Sequence, residues 1–495
     1  MLRLHLAPVI LLLAPLAAQQ ALSTTYGLFA NGRTGAALAG GGDLDGDQTP
    51  DLLISSPTWT PGRVQVVSGM TWTTRTILNT GTNNFGLRVL TGTPDMNLDG
   101  VRDILVESGN DLVAYSGATL AVLWQTQAPS NQIYLLAVPV GDLDTDGRCD
   151  LAAAMILGGT HYVWTLSGAN GSMLQTSTPL PAQTNCLALL GDVNGDSRPE
   201  IVLGTTSSTV HVRQVLPSST LSTFQIPGQT VLSVAAGNLA GDARNEVLVS
   251  NGLALRVHSA TTGSLIRTIP GTGEFAVLGD LTADGVADLA VRTTTLAVGD
   301  GVDFRSGANG GLLAQWFGTA SFRCAIVAAA GDVNGDGFGD LLLGDPDATL
   351  LPSGTPWTGA WQLLSAKLLA TMQSMPATCA QGPFFPQLGV TRPRLGFVAT
   401  VEGRDAPAGA VGFLAFSPQP GAPTNLGVMG CDAWFDLSNG LLLHQPTGVN
   451  WTFQFPVPAA PQLAGCGFAL QAFYAPTFSA IGMDLSNGVW ARLGY

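Results

Sequence analysis

Twenty-two of the chain's 34 acidic residues fall at fixed offsets in a nine-residue pattern that recurs seven times. The pattern starts at Asp43, Asp95, Asp142, Asp192, Asn238, Asp280 and Asp332, at intervals of 42 to 52 residues. Positions 1, 3, 5 and 9 carry the oxygens. They are Asp43, Asp45, Asp47 and Asp51 in the first loop, and Asp95, Asn97, Asp99 and Asp103 in the second. The third has Asp142, Asp144, Asp146 and Asp150, and the fourth Asp192, Asn194, Asp196 and Glu200. The sixth has Asp280, Thr282, Asp284 and Asp288, and the seventh Asp332, Asn334, Asp336 and Asp340. If the backbone curls around a centre, alternate side chains converge on it. Such hard oxygens, with a backbone carbonyl and water, suit Ca2+, which takes about six to eight ligands. Gly at position 6 (Gly100, Gly147, Gly285, Gly337) permits the left-handed bend that such a curl needs. An Asp/Asn-rich turn without metal is the simpler alternative, but it does not require acids at the same offsets seven times over.

The loops are not equivalent. Those at Asp43 and Asp142 hold four carboxylates, whereas those at Asp95, Asp192, Asp280 and Asp332 hold three. The fifth keeps only Asp242 and Glu246, with Ala240 where an oxygen is needed, so it is expected to be weak or empty. About six calcium sites follow. An EF-hand opens in the same way but closes with an acid at position 12. Position 12 here is Ile54, Val106, Ala153, Leu203, Val249, Val291 and Leu343. The net charge of −14 is therefore local to the loops, since the other twelve acids face twenty Lys and Arg. So acidic a chain is not an ordinary nucleic-acid binder.

The elements that position the loops are short. Each loop lies between small or apolar runs, such as Leu187 to Leu190 before Asp192 and Ile201 to Leu203 after Glu200. Runs of this kind around a tight loop predict a β-hairpin. A second echo follows each loop in most repeats: Ser68 and Gly69, Ser116 and Gly117, Ser167 and Gly168, Ser259 and Gly263, Ser306 and Gly307. It marks a second hairpin turn. Four strands per repeat of forty-odd residues is the size of a propeller blade, and a closed ring of seven leaves no long exposed edge. The expected fold is all-β: a seven-bladed β-propeller over residues 24–372, then a small C-terminal β-sandwich over 379–495. Residues 373–378 read as a linker between them. Residues 1–18 read as a signal peptide, with Arg3, an apolar run and the small residues Ala17 and Ala18 before the cut. The mature chain is then exported, to the medium or the cell surface, with no transmembrane segment. Six cysteines are too few to be its main scaffold, and the pairing of Cys379, Cys431 and Cys466 stays open.

The repeats resemble the FG-GAP repeat of integrin α-chain propellers and the related VCBS repeats of secreted bacterial proteins. Phe85 and Gly86 ahead of Asp95, and the runs from Gly191 to Asp196 and from Gly331 to Gly337, carry the resemblance. It implies calcium held between the first two strands of each blade, and extracellular binding or adhesion toward a carbohydrate or protein ligand. The C-terminal domain is similar, through Cys379, Leu388, Gly389, Gly430, Cys431, Phe468 to Ala472 and Ser486 to Gly488, to one found in exported planctomycete-type proteins. No HExxH, GxSxG or Walker-type loop is present, so no catalytic residue is assigned. The alternatives are an extracellular enzyme acting on polysaccharide and a structural envelope component. Glu107, Glu274 and Glu402 are the Glu residues outside the loops, and His161, His211 and His258 read as strand residues. A binding face is expected opposite the acidic loops, where Trp59 and Trp357 stand in connecting segments.

Overall fold

The structure, a computed structural model, describes residues 21–377 apart from short loop segments (28–30, 59, 82–83, 127–131, 229, 243, 272, 296–298, 319–321, 350–357 and 368–370). Beyond these it describes much of 387–493. The leader expected at 1–18, and Trp59, Trp357, Cys379 and Cys431, lie outside the described residues. There is no α-helix among those described.

After the first strand, β1 (Ala21–Tyr26), the chain builds four-stranded antiparallel sheets in sequence order. Blade 1 is β2 (Leu38–Gly42), β3 (Asp51–Ser56), β4 (Arg63–Val67) and β5 (Thr74–Leu78). Blade 2 is β6 (Leu90–Thr93), β7 (Asp103–Ser108), β8 (Asp111–Tyr115) and β9 (Val122–Gln125). Blade 3 is β10 (Gln132–Gly141), β11 (Asp150–Leu157), β12 (Thr160–Leu166) and β13 (Met173–Thr176). Blade 4 is β14 (Thr184–Gly191), β15 (Glu200–Thr205), β16 (Thr209–Gln214) and β17 (Ser219–Gln225). Blade 5 is β18 (Ser233–Gly237), β19 (Glu246–Ser250), β20 (Leu255–His258) and β21 (Leu265–Ile269). Blade 6 is β22 (Phe275–Val277), β23 (Leu289–Thr295), β24 (Gly299–Arg305) and β25 (Leu312–Phe317). Blade 7 takes β26 (Ile326–Gly331), β27 (Asp340–Asp345) and β28 (Ala360–Leu364) from its own repeat, and its fourth strand is β1. The chain thus forms a seven-bladed β-propeller closed by strand exchange between its two ends. The ring starts at Ala21, three residues before the expected boundary.

Second strands are apolar because they are sandwiched between neighbouring blades. In β3 all six residues are buried. Leu52 and Ile54 join a cluster with Leu342, Trp361 and Leu363 of blade 7, while Leu53 joins Ile104 and Val106 of blade 2. Period-two alternation thus sends successive side chains into opposite blade interfaces. The cluster shared by blades 7 and 1 is the seam of the ring.

The segment read as a linker is not one. β29 (Thr371–Ala377) covers all of it but Thr378 and pairs with the last strand of the C-terminal domain. That domain adds β30 (Gln387–Val390), β31 (Val398–Arg404), β32 (Val411–Ser417), β33 (Pro420–Asn425), β34 (Asp432–Phe435) and β35 (Leu441–His444). It ends with β36 (Trp451–Pro456), β37 (Gly467–Ala475), β38 (Asp484–Leu485) and β39 (Asn487–Arg492). One sheet runs β29-β39-β37-β32-β35 with β38 beside β37, and another runs β30-β31-β36. Leu388, Val401 and Trp451 of the second share an apolar cluster with Leu414, Phe468, Leu470 and Val489 of the first. Within the Asp484 to Gly488 run, Ser486 is fully buried, its Oγ accepts from the Ala472 N–H at 2.9 Å, and its carbonyl accepts from Gln471 Nε2 at 2.9 Å.

Candidate metal centres

Every acidic loop connects the first and second strands of its blade, so all seven lie on one face of the ring. Position 1 organises the curl. In the third loop one Asp142 oxygen accepts the N–H groups of Thr145 (2.7 Å) and Asp146 (3.2 Å), and the other accepts that of Gly147 (2.9 Å). Asp43, Asp95 and Asp192 accept from positions 4 and 6 in the same way. These N–H bonds hold the Asp192 carboxyl below its ordinary value, that of Gly195 contributing most. In all seven loops position 5 accepts the N–H of position 7, at 2.8–3.1 Å. Position 6 is left-handed as expected (Gly147, φ 85°), but position 4 is left-handed too. Leu98, Thr145 and Ala283 hold φ values of 64°, 68° and 54° there, a strained conformation for side chains of those kinds.

The expected ligand sets are brought together in part. Oxygens of Asp43, Asp45 and Asp51 lie within 4.8 Å of one another, and so do those of Asp142, Asp144 and Asp146. Asp47 and Asp150 stand outside these groups of three. In the three-carboxylate loops, position 3 donates a side-chain hydrogen bond to an acid of the same loop. Asn194 Nδ2 gives a hydrogen bond to Glu200 (2.9 Å), Thr282 Oγ1 to Asp288 (3.3 Å) and Asn334 Nδ2 to Asp340 (3.3 Å). In the second loop Asn97 Nδ2 donates instead to Asp99 Oδ2 at 2.8 Å. In the fifth loop Glu246 accepts the N–H groups of Leu239 and Ala240, both at 2.8 Å, with no position-3 oxygen to assist. The donor chemistry fits a hard cation best in the loops of Asp43 and Asp142, where three carboxylates crowd together.

Position 9 has a second role that its spacing alone did not reveal. Asp51, Asp103, Asp150 and Asp288 are fully buried. One oxygen of each accepts the position-2 N–H at 2.6–3.0 Å. The other accepts the N–H of the Ser-Gly glycine (Gly69, Gly117, Gly168, Gly307) at 3.0 Å. The carboxylate therefore latches the first hairpin to the second. Glycine is needed because a Cβ at Gly168 would stand 1.9 Å from the Cys149 carbonyl oxygen, and one at Gly117 1.8 Å from that of Arg102. Gly168→Ala should cost about 2 kcal/mol through this collision, read as a lowered denaturant midpoint; an unchanged midpoint would contradict the close approach. Burial pushes the position-9 carboxyls up, Asp288 to about 6 and the equally buried Asp340 of the seventh loop to about 7, with neighbouring loop acids adding to the effect.

The loops also lock to their neighbours. Arg148 Nη1 donates to the Met96 carbonyl of the preceding loop (3.1 Å), and Asn245 Nδ2 to that of Leu190 (2.8 Å). At the seam, Pro50 lies against Gly331.

Glu107, Glu274 and Glu402 belong to blade 2, to the connection into blade 6 and to β31. Glu107 is buried against Arg88 (2.9 Å), and burial raises its carboxyl. His161, His211 and His258 sit on the third strands of three different blades, each pushed down by burial. Cys186 and Cys324 are buried thiols pushed up to about 12.

No protein-family profile matches the chain. No curated protein matches it either. Solved structures do. Their likeness is one of fold. A crystal structure of BBS1N in complex with ARL6DN, soaked with mercury, superposes with a TM-score of 0.51 at 11% identity, covering 70% of this chain and 97% of that one. The β-propeller domain of Cps50 (Swd1) from Myceliophteria thermophila gives 0.48 at 12% identity, covering 70% and 99%. A propeller supports a binding or scaffold module in general. No helix among the described residues is long and apolar enough to cross a membrane.

Proposed function

We propose that this chain is a secreted, calcium-binding propeller of the FG-GAP and VCBS kind that serves as an extracellular binding or adhesion module for a carbohydrate or protein ligand. The observation that carries the calcium reading is the crowding of three carboxylate oxygens within 4.8 Å in the loops of Asp43 and Asp142, on a loop scaffold repeated in all seven blades. Asp43, Asp45, Asp47 and Asp51, and Asp142, Asp144, Asp146 and Asp150, would hold the ion there. The four three-carboxylate loops would hold it more weakly, and the loop at Asn238 weakly or not at all. Bound calcium would supply the positive charge that the crowded carboxylates lack.

The ligand face, on this reading, is the one opposite the loops. Its described part is uneven. Ion pairs Arg33–Asp347 (3.2 Å), Arg88–Glu107 (2.9 Å) and Arg292–Asp300 (3.6 Å) stand at blades 7, 2 and 6. The second-to-third strand turns of blades 3, 4 and 5 carry no charged residue and expose Leu157 and Leu253. Leu232, in the connection into blade 5, is exposed beside Gly252. A neutral surface of this kind suits an uncharged glycan or a protein partner. BBS1N, of similar fold, is in complex with ARL6DN, which favours the protein alternative.

A calcium titration followed by thermal melts tests the metal. A glycan array and a protein capture with the loaded chain, run beside a polysaccharide-release assay, test the ligand. Binding without turnover supports the module; released sugar fragments would replace it with the enzyme reading.

A further inference from the structure

The fourth strand of each blade is bulged at one residue, and that residue is apolar in six of the seven blades. Register shifts leave Leu123, Leu174, Leu221, Ile266 and Leu313 unpaired in blades 2 to 6, and Leu22 in the β1 strand of blade 7. In blade 1 the same place, between Thr74 and Thr76, holds Arg75. Its guanidinium reaches the acidic loop of its own blade. Nε lies 3.4 Å from Asp45 Oδ2, and Nη1 lies 3.2 Å from Asp51 Oδ2. These are two of the three crowded carboxylates of the first loop. Among the described residues, no other ion pair reaches an acidic loop. The equally acidic third loop has Leu174 at the matching place.

We propose that Arg75 is a built-in counter-ion of the first loop: it holds the hairpin of blade 1 together without calcium and competes with calcium for the same carboxylates. This rests on the calcium reading above. A second cation beside the same oxygens opposes a divalent ion through like-charge repulsion and through the carboxylate contacts it already occupies. Blade 1 should therefore take up calcium later than blade 3, although both loops hold four carboxylates.

Hydrogen exchange resolved by peptide separates the two loops, because the N–H groups of Gly46, Gln48, Thr145 and Gly147 are bonded to loop carboxylates. Calcium is titrated into the whole chain, wild type and Arg75→Leu, and protection of the peptides spanning 43–51 and 142–150 is followed. Leu is the residue of most other blades at this place, and Arg75→Gln serves as a second variant. Expected is a wild-type midpoint for blade 1 above that of blade 3, and a fall of at least about tenfold in the blade 1 midpoint on Arg75→Leu, with blade 3 unmoved. In chelator the variant's 43–51 peptide should exchange faster than wild type. If blade 3 responds to calcium while the blade 1 midpoint is unchanged or raised by both substitutions, the Arg75 role is overturned and the calcium reading stands. If neither peptide responds in any form of the chain, the calcium reading falls and takes this inference with it.

Discussion

Replacing Asp142, Asp144 and Asp146 together by Asn should lower the melting temperature in calcium and leave it nearly unchanged in chelator. Asn keeps one oxygen at each position, so the N–H bonds from Thr145, Asp146 and Arg148 still have an acceptor, and the Gly147 N–H, which loses the second Asp142 oxygen, is exposed to water. What is lost is the charge that would hold the ion. A site kept at a hundred times its dissociation constant contributes about 2.7 kcal/mol. For a ring of this size that is about 4 °C in melting temperature. Scanning calorimetry in calcium and in chelator checks it. An equal fall in both would show that the three carboxylates serve the fold alone.

Removing residues 21–26 should have a larger effect. β1 is the fourth strand of blade 7, paired with β28 from Tyr26 opposite Ala360 to Ala21 opposite Leu364. Gln362 Nε2 donates to Thr24 Oγ1 at 2.8 Å across a sequence separation of 338. Five paired positions at about 1 kcal/mol each amount to about 5 kcal/mol, a large part of the stability of an ordinary domain. The exposed edge of β28 would also be free to pair with another chain. Expected are a fall of about 7 °C in melting temperature and concentration-dependent association in light scattering. A truncated chain that stays monomeric with its melting temperature intact would show that the ring is held by its blade interfaces alone.

The ring was legible in the sequence because each blade has the same punctuation. Acids at fixed offsets mark the first hairpin, and the Ser-Gly pair marks the second. Both survive because they are tied to each other: Asp51, Asp103, Asp150 and Asp288 bond the glycines directly. That coupling was hidden, since nothing in the spacing says that a carboxylate offered to a cation is also accepting two backbone N–H groups. β1 carries no loop and no glycine, so Ala21 to Ser23 gave no sign of belonging to a blade closed by residues near 360. β29 failed for a related reason. Ser374 and Pro376 read as punctuation, yet the strand is completed by Trp490 and Val489, more than a hundred residues away. Arg75 was equally silent, because an arginine on an outer strand looks like ordinary surface until the bulge register shows what its counterparts are.

The exchanged strand has one more consequence, for how the molecule is made. The earliest segment of the ring to leave the ribosome is among the last to find its place, because Ala360 to Leu364 must be translated before Ala21 to Tyr26 has anything to pair with. At about ten residues per second that delay is roughly half a minute. Through that interval six complete blades can assemble beside an unpaired leading segment, and the nascent ring stays open until translation has passed its seventh unit.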